Sequence, residues 1–409
     1  MIHTCRHCDA HLSERFLDLG HAPLSNAYLD AAGLQAAEVT YPLRLNVCTA
    51  CRLVQTEDYT SAADVFGADY AYFSSTSSGW VAHAKRYTDM IVERLDLGPD
   101  SFVIELAAND GYLLQHMKAA GVPCLGVEPT TATADAARAK GIEIIEDFFS
   151  MALVETLTAE GKSADLILGN NVYAHVPDIN DFTRAIATAL KPEGMVTLEF
   201  PHLMRMVEHR QFDTVYHEHF SYLSLMTVQR IFETNGLRVV DVEELPTHGG
   251  SLRVYGCRAD ASHVASGNVA SVLAEELTRG MDTPAFYEGF QAEAEAVKDA
   301  AVRFLLDAKR DGKAVAGYGA AAKGNTLMNF AGIRPDLLPR VHDAALAKQN
   351  MFLPGSHIPI LAPSALDDAR PDYVVILPWN IADEVRAQLS HLAEAGTRFV
   401  TFVPELKIV

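Results

Sequence analysis

Short apolar runs alternate with longer amphipathic stretches through most of this chain. Between Phe102 and Glu199 five runs predict strands: Phe102–Leu106, Pro123–Val127, Glu143–Ile145, Asp165–Leu168 and Met195–Glu199. The stretches between them carry helical periodicity, and that alternation is the signature of a doubly wound parallel sheet. Two further runs, Arg238–Glu243 and Ser251–Cys257, are joined by a short Pro/His/Gly-rich connection and read as an antiparallel pair. Farther on, a helix from about Phe290 to Lys309 leads into strands at Ala314–Gly317, Arg340–Asp343, Tyr373–Ile376 and Phe399–Phe402. The first fifty-odd residues suit only short strands and loops. Three domains are expected, over residues 1–65, 66–260 and 261–409, the last two both α/β.

A length of 409 residues agrees with two or three cores. Hydrophobic residues make up 49% and charged residues 21%, the composition of a soluble globular protein. No apolar run approaches the roughly 20 residues that span a bilayer. The N-terminal Met-Ile-His-Thr-Cys lacks the basic-then-apolar pattern of a signal peptide, so a cytoplasmic location is expected. A net charge of -20 argues against nucleic acid and anionic membranes as partners, because gripping a phosphate backbone needs the opposite sign. Small anions remain eligible, since a local loop can bind phosphate inside an acidic protein.

Four of the six cysteines form two knuckle pairs, Cys5-x-x-Cys8 and Cys48-x-x-Cys51. Four thiolates suit tetrahedral zinc, and a two-residue gap lets both sulfurs of a pair reach one ion. The ion is expected to be structural, because four cysteines leave no open position. The alternatives are a redox dithiol or a neighbouring histidine, His3 or His7, replacing one ligand. Cys124 and Cys257 sit in apolar strands and suit core packing.

The run Phe102-Val-Ile-Glu-Leu-Ala-Ala-Asn-Asp-Gly-Tyr passes from a buried strand through a small-residue turn into a helix. In an α/β sheet, ligands bind at the carboxyl ends of strands near the switch in strand order. Glu105, Ala107, Asn109, Asp110 and Gly111 are therefore cofactor candidates. The second strand ends in Glu128-Pro129, where an acidic residue can accept hydrogen bonds from both ribose hydroxyls. Asp147 and Phe148 after the third strand suit an adenine amino group and ring. Asn170, Asn171 and His175 follow the fourth. Any one of these alone reads as a solvated loop. Four strand ends in this order favour S-adenosylmethionine over NAD, whose phosphate-cradling glycine loop is present only in degraded form.

After the fifth strand come Glu199-Phe-Pro-His202 and then Tyr216-His217-Glu218-His219-Phe-Ser-Tyr222. The second run packs imidazoles, a carboxylate and phenols into seven residues. Methylation at carbon needs a base that removes a proton beside a ketone, and histidine does this near neutral pH. A phenol or second histidine can steady the enolate oxygen. An aromatic packing loop is the bland alternative, and metal binding by the two histidines another. Asp69-Tyr70-Ala-Tyr72-Phe-Ser-Ser75 precedes a helix and could close over substrate or simply cap that helix.

Together with Glu105-Leu-Ala-Ala-Asn-Asp-Gly111, Asn170-Asn-Val-Tyr-Ala-His-Val176, Thr247-His-Gly-Gly-Ser-Leu-Arg253 and Gly317-Tyr-Gly-Ala-Ala-Ala-Lys-Gly-Asn325, these motifs resemble the sugar C-methyltransferase family over almost the whole chain. The resemblance implies a zinc-binding N-terminal domain, a class I methyltransferase domain and a Rossmann-like C-terminal domain that binds nucleotide-sugar. It implies His219 as the base, with Tyr216, Glu218 and Tyr70 assisting. It further implies removal of the C3 proton beside a 4-keto group, then in-line attack on the sulfonium methyl with inversion there. Tyr72, Ser75, His202, Tyr222 and Arg253 are expected on the substrate, with Gly319, Lys323, Asn325, Asp343 and Lys348 near its diphosphate. The carrier could be dTDP, GDP or CDP, and the protein a monomer or homodimer. The competing functions are O- or N-methylation, an NAD-dependent nucleotide-sugar oxidoreductase using the C-terminal glycine loop, and a zinc-ribbon nucleic-acid module, which the net charge disfavours.

Overall fold

In the computed structural model, which describes residues 4–59 and 73–409, the chain opens as an antiparallel meander of β1 (Glu14–Ala22), β2 (Tyr41–Val47) and β3 (Val54–Thr56). A register shift between Arg15 and Leu17 breaks the strict alternation of β1. A bulge of this kind turns two successive side chains inward, and Phe16 and Leu17 are both buried.

The middle segment forms the expected sheet. β4 (Val103–Leu106), β5 (Cys124–Val127), β6 (Glu143–Ile145), β7 (Ala164–Asn170) and β8 (Leu190–Pro201) run parallel. Every residue of β4 is buried, as expected of a strand covered by helices on both faces. The chain then leaves this sheet, and β9 (Ser221–Tyr222) pairs antiparallel with β3. It returns as the hairpin β10 (Leu237–Leu245) and β11 (Ser251–Arg258), with β11 antiparallel to β8. The order β10-β11-β8-β7-β4-β5-β6 reverses between β7 and β4, so a ligand cleft is expected at their carboxyl ends.

The third sheet has β12 (Val315–Tyr318), β13 (Val341–His342), β14 (Ile360–Leu361), β15 (Tyr373–Ile376), β16 (Arg398–Thr401) and β17 (Lys407–Ile408), in the order β14-β13-β12-β15-β16-β17. Only β17 is antiparallel. The two-residue strands β14 and β17 have no counterpart among the expected strands. The mixed α/β architecture, with an N-terminal cysteine cluster, two doubly wound sheets and helices on both, is the expected class.

The sheets are not independent bodies. One hydrophobic core runs from Phe16 and Leu17 of β1 through Phe212 and Val215 to Leu327, Val341 and Val375 of the third sheet. Phe16 stacks on Phe290, the first residue of the helix Phe290–Arg310, at 5.0 Å between rings. A second core joins Cys5, Cys48 and Leu53 to Ile167, Val196 and Leu198 of the seven-stranded sheet.

A buried carboxylate fixes the segment between β8 and β10. Glu276, in the helix Gly267–Thr278, has no exposure. Its oxygens accept hydrogen bonds from His202 Nε2 at 2.7 Å and from the backbone amides of Leu225 and Met226 at 2.6 and 2.8 Å. Those amides open the helix Leu225–Thr234, where a negative charge is favoured. Replacing Glu276 with Ala orphans three buried donors at about 1–3 kcal/mol each. Glu276→Ala should therefore lower the denaturant midpoint strongly, as followed by circular dichroism, or prevent folding altogether.

Candidate functional site

At the carboxyl end of β4 the chain alternates in handedness. Ala107, Asn109 and Gly111 have φ of 53°, 50° and 73°. A non-glycine residue there costs of order 1–3 kcal/mol and is a mark of functional sites. A Cβ on Gly111 would lie 2.4 Å from Ile142, so this position needs glycine on two counts. Glu128, at the end of β5, holds the turn: its Oε2 accepts the Asn109 amide at 2.9 Å, and its Oε1 accepts Thr130 N and Thr133 Oγ1 at 3.0 Å. Each carboxylate oxygen has two lone pairs, so Oε2 keeps one for a ligand.

These strand ends open into a cleft of about 570 Å³ to which all three sheets contribute. From the predicted cofactor set it is lined by Ala107, Asn109, Glu128, Pro129, Asp147 and Phe148. Asn170, Asn171 and His175 line it as well. Both amide atoms of Asn170 are buried without a hydrogen-bond partner in the protein, which is a polar demand a ligand would satisfy. The residues thus fit a nucleoside bearing an amino-acid chain: an acceptor at Glu128, an orphaned amide at Asn170, and a turn that admits close approach.

The remaining cofactor candidates lie behind the wall. Glu105 is buried within β4, and burial followed by the Glu128 carboxylate holds its carboxyl well above the usual range. Asp110 accepts the Ser75 amide at 3.2 Å and lies 3.6 Å from Lys140. Asn109 Oδ1 accepts the Ser74 amide. Asp110 and Ser75 thus join the turn to the segment before the helix Ser78–Arg94, which Ser77 caps by accepting Trp80 N. Tyr70 and Tyr72 fall outside the described residues.

The segment after β8 brings Tyr216, Glu218 and His219 to the same cleft. His219 Nδ1 lies 3.1 Å from the carbonyl oxygen of Thr214. A carbonyl only accepts, so Nδ1 carries the proton and Nε2 is left as an acceptor. The Tyr216 ring lies 4.0 Å away and the His175 ring meets His219 edge-on at 4.6 Å. Burial, and then His175, hold His219 well below the ordinary imidazole range, so it is neutral at neutral pH. Glu218 is gripped by Asn26, whose Nδ2 donates to both carboxylate oxygens at 2.8 and 3.0 Å, and by Ser25 at 3.3 Å.

The C-terminal sheet adds two lysines. Lys323 Nζ donates to Asn380 Oδ1 at 2.7 Å and sits over the Trp379 ring. Lys348 Nζ donates to the Ala320 carbonyl at 2.8 Å, 3.9 Å from Asp343. Both line the cleft. Gly319 and Asp343 do not. A Cβ on Gly319 would meet Pro378 at 2.4 Å, and Asp343 accepts the Ala320 and Ala345 amides. Asn325 is buried and donates to Ser25 O at 2.6 Å.

Three expected substrate contacts lie beneath the cleft instead. His202 is sealed against Glu276, side chain fully buried. Arg253 pairs with Glu199 at 2.9 Å and Glu243 at 3.0 Å and stacks over Tyr87. Tyr222 is buried in β9. Each is buried by elements distant in sequence, which a linear motif does not reveal. Conversely, Asn26, Trp80, Tyr112 and His248 line the cleft without having been singled out. His248 had a signal in the two glycines that follow it; Asn26 had none nearby.

The four N-terminal sulfurs lie within 4.8 Å of one another, with Cys5–Cys51 and Cys8–Cys48 at 3.5 Å. A zinc tetrahedron spaces its sulfurs about 3.8 Å apart. The Cys51 amide and Gln55 Nε2 also point at sulfur. Four sulfurs drawn this close, two of them accepting N–H donors, fit thiolates arranged around one cation. His7 turns instead to Asn180 at 2.9 Å, and His3 lies outside the described residues.

Three family profiles match the chain: "Putative zinc binding domain" over residues 5–66, "Methyltransferase domain" over 81–242 and "C-methyltransferase C-terminal domain" over 246–404. The C-methyltransferase NovU of Streptomyces niveus is 33% identical over 408 residues, covering 100% of this chain and 97% of its own. A ubiquinone biosynthesis O-methyltransferase of Bartonella tribocorum is 28% identical over 23% of this chain and 38% of its own. Among solved structures, the magnesium protoporphyrin IX methyltransferase of Synechocystis PCC 6803 matches at 15% identity, covering 48% of this chain and 89% of that one, with a TM-score of 0.33, too loose to argue from.

Burial raises the Glu218 carboxyl from its ordinary 4.5 to about 7. The folded state then holds a proton that the unfolded state releases, so this group's contribution to stability falls as pH rises from about 4.5 to 7 and is level above. Glu218→Gln removes that term. Its stability relative to the parent should rise across that window, measured by urea unfolding at each pH.

Proposed function

The chain belongs to the family of C-methyltransferases with an N-terminal zinc-binding domain, and on that premise we propose that this S-adenosylmethionine-dependent methyltransferase methylates C3 of a nucleotide-linked 4-keto-deoxysugar. The observation that carries the reading is His219: a buried, neutral imidazole with its proton on Nδ1, lining the shared cleft, its Nε2 without a hydrogen-bond partner among the described residues. Such a nitrogen takes a proton from carbon next to a ketone, whose carbonyl accepts the electron pair.

Tyr216 packs on the imidazole and Glu218 stands beside it, held by Asn26, so the base has little freedom to turn away. Bound S-adenosylmethionine supplies a sulfonium methyl as electrophile. Glu128, Asn170 and the Ala107–Gly111 turn are assigned to hold it, with Asp147 and Phe148 at the adenine end. Lys323 and Lys348 are assigned to the sugar's diphosphate, two ammonium groups being what such an anion requires. In this reading residues 1–65 form the zinc domain, 66–260 the methyltransferase domain and 261–409 the nucleotide-sugar domain. The zinc ion is structural: four cysteines complete its shell, and Gln55 carries its position to β9.

Incubation with S-adenosylmethionine and a panel of nucleotide 4-keto sugars should add one methyl group, read by mass spectrometry. His219→Asn should lower that rate by about 10²–10⁴-fold while leaving S-adenosylmethionine binding intact. A full-rate His219→Asn enzyme would remove His219 as the base.

Metal analysis should give one zinc per chain. Cys48→Ser, or chelation, should lower the melting temperature and the methylation rate together, because removing a structural ion removes folding free energy.

A further inference from the structure

Between β10 and β11 the chain turns on Pro246-Thr-His-Gly-Gly250, with φ of 53°, 84° and 119° at His248, Gly249 and Gly250. Glycine adopts this region freely, whereas histidine is held there only when its surroundings over-determine it. Here they do. Thr247 Oγ1 donates to the buried Glu199 carboxylate at 3.0 Å. A Cβ on Gly249 would lie 2.4 Å from Trp379, and one on Gly250 2.8 Å from Arg205. The imidazole of His248 consequently lines the cleft, edge-on to Trp80 at 5.2 Å.

Its protonation is set from one side. His248 Nε2 lies 3.0 Å from Asn171 Nδ2. An amide nitrogen only donates, so Nε2 accepts and the ring proton resides on Nδ1. Burial, and then the Lys323 ammonium, lower its pKa to about 4, so the ring is neutral. His219 is the same tautomer used the other way round: its Nδ1–H is spent on Thr214, and its Nε2 has no hydrogen-bond partner among the described residues. One imidazole is arranged to take a proton, the other to offer a hydrogen bond.

We propose that His248 is a second catalytic residue, donating its Nδ1–H to the ketone oxygen of the substrate and stabilising the charge that grows there while His219 removes the neighbouring proton. This rests on the C-methylation reading above. In the step, the C–H bond breaks, its proton goes to His219 Nε2, and its electron pair forms the enolate carbon–carbon double bond. The carbonyl π pair moves to oxygen, against His248 Nδ1–H, which keeps its proton. Methylation at carbon returns that pair to the carbonyl. A neutral donor suits this sequence: it stabilises the enolate without protonating it, whereas an imidazolium would tend to quench the nucleophile.

The test uses the full-length enzyme, a nucleotide 4-keto sugar that the parent methylates, and two readouts: methyl transfer, and deuterium exchange beside the ketone without S-adenosylmethionine. Asparagine places an amide N–H near the Nδ1 position and tolerates left-handed backbone; glutamine reaches the Nε2 position instead. His248→Gln should lower both rates by about 10²–10³-fold, with cofactor and sugar-nucleotide affinities unchanged. His248→Asn should recover much of the loss. Asn171→Asp, whose carboxylate accepts and so draws the proton to Nε2, should resemble His248→Gln and serves if the latter fails to fold. Parent-like exchange in His248→Gln and Asn171→Asp, or glutamine outperforming asparagine, overturns the assignment. If no nucleotide 4-keto sugar in the panel is methylated or exchanged by the parent, the C-methylation reading falls instead.

Discussion

The pairing of β3 with β9 is the constraint on which the rest depends. Val54 lies opposite Tyr222 and Gln55 opposite Ser221, and Thr56 N donates to Phe220 O. The segment between β8 and β10 would otherwise be a long connection without a sheet of its own, and such segments are ordered only when something outside them supplies the order. Here the N-terminal meander supplies it. Gln55 links this pairing to the metal-ligand cluster, donating to Cys5 Sγ while its carbonyl accepts Arg6 N. Arg6 in turn reaches Thr56 O, Asp58 and Pro177 O and lies over Phe220. Hydrogen bonds thus lead from the Cys5 sulfur through Gln55, Arg6 and Thr56 to Phe220, the residue next to His219. Rigidity at the cysteine cluster is rigidity at the base.

The cleft's electrostatics follow from burial more than from pairing. His175 and His248 are each lowered to about 4 by desolvation, and Asp213 behind Trp379 is raised to about 6 for the same reason. The imidazoles, which change charge near neutral pH in water, are therefore held neutral here, while Asp213 stays mostly ionised at pH 7; neutral rings suit hydrogen-bond donation and proton abstraction better than ion pairing. Lys323 and Lys348 are the contrast. Burial lowers both, yet their donors go to an amide oxygen and a carbonyl, with carboxylates at greater distance. In a protein of net charge -20, two ammonium groups with neutral first partners concentrate positive potential where an anion enters.

Local periodicity was enough to read the middle sheet, because every strand from β4 to β8 is an apolar run between amphipathic helices. The cysteine pairs were equally legible, since ligand spacing is a local property. What escaped was nonlocal. Asn26 lies on an N-terminal loop and reaches Glu218 only because the first sheet shares a core with the third. His202 and Arg253 carry functional-looking chemistry, but each is buried and paired with a carboxylate from another element, Glu276 and Glu199. A motif reports which groups are present; which of them face the cleft depends on layers packed from distant sequence.

The two doubly wound sheets show what that dependence means for finding a site. They share a design, yet their strand ends differ in what is left undone. After β7, Asn170 keeps both amide atoms buried and unpartnered, and after β4 Ala107 and Asn109 hold left-handed backbone. At the matching place in the third sheet, the space beside Gly319 is filled by Pro378 and the Asp343 carboxylate is taken by two backbone amides. Unspent hydrogen bonds and retained strain both cost free energy, and a fold tolerates them where a ligand restores the balance. On that criterion Gly319 and Asp343 are structural, whereas His342 Nε2 at the end of β13 and Asn325 Oδ1 are buried without a hydrogen-bond partner among the described residues. The third sheet's polar part in the cleft is carried by side chains just beyond its strand ends, Lys323, Lys348 and Asn380, which makes it a charged wall of the shared cleft.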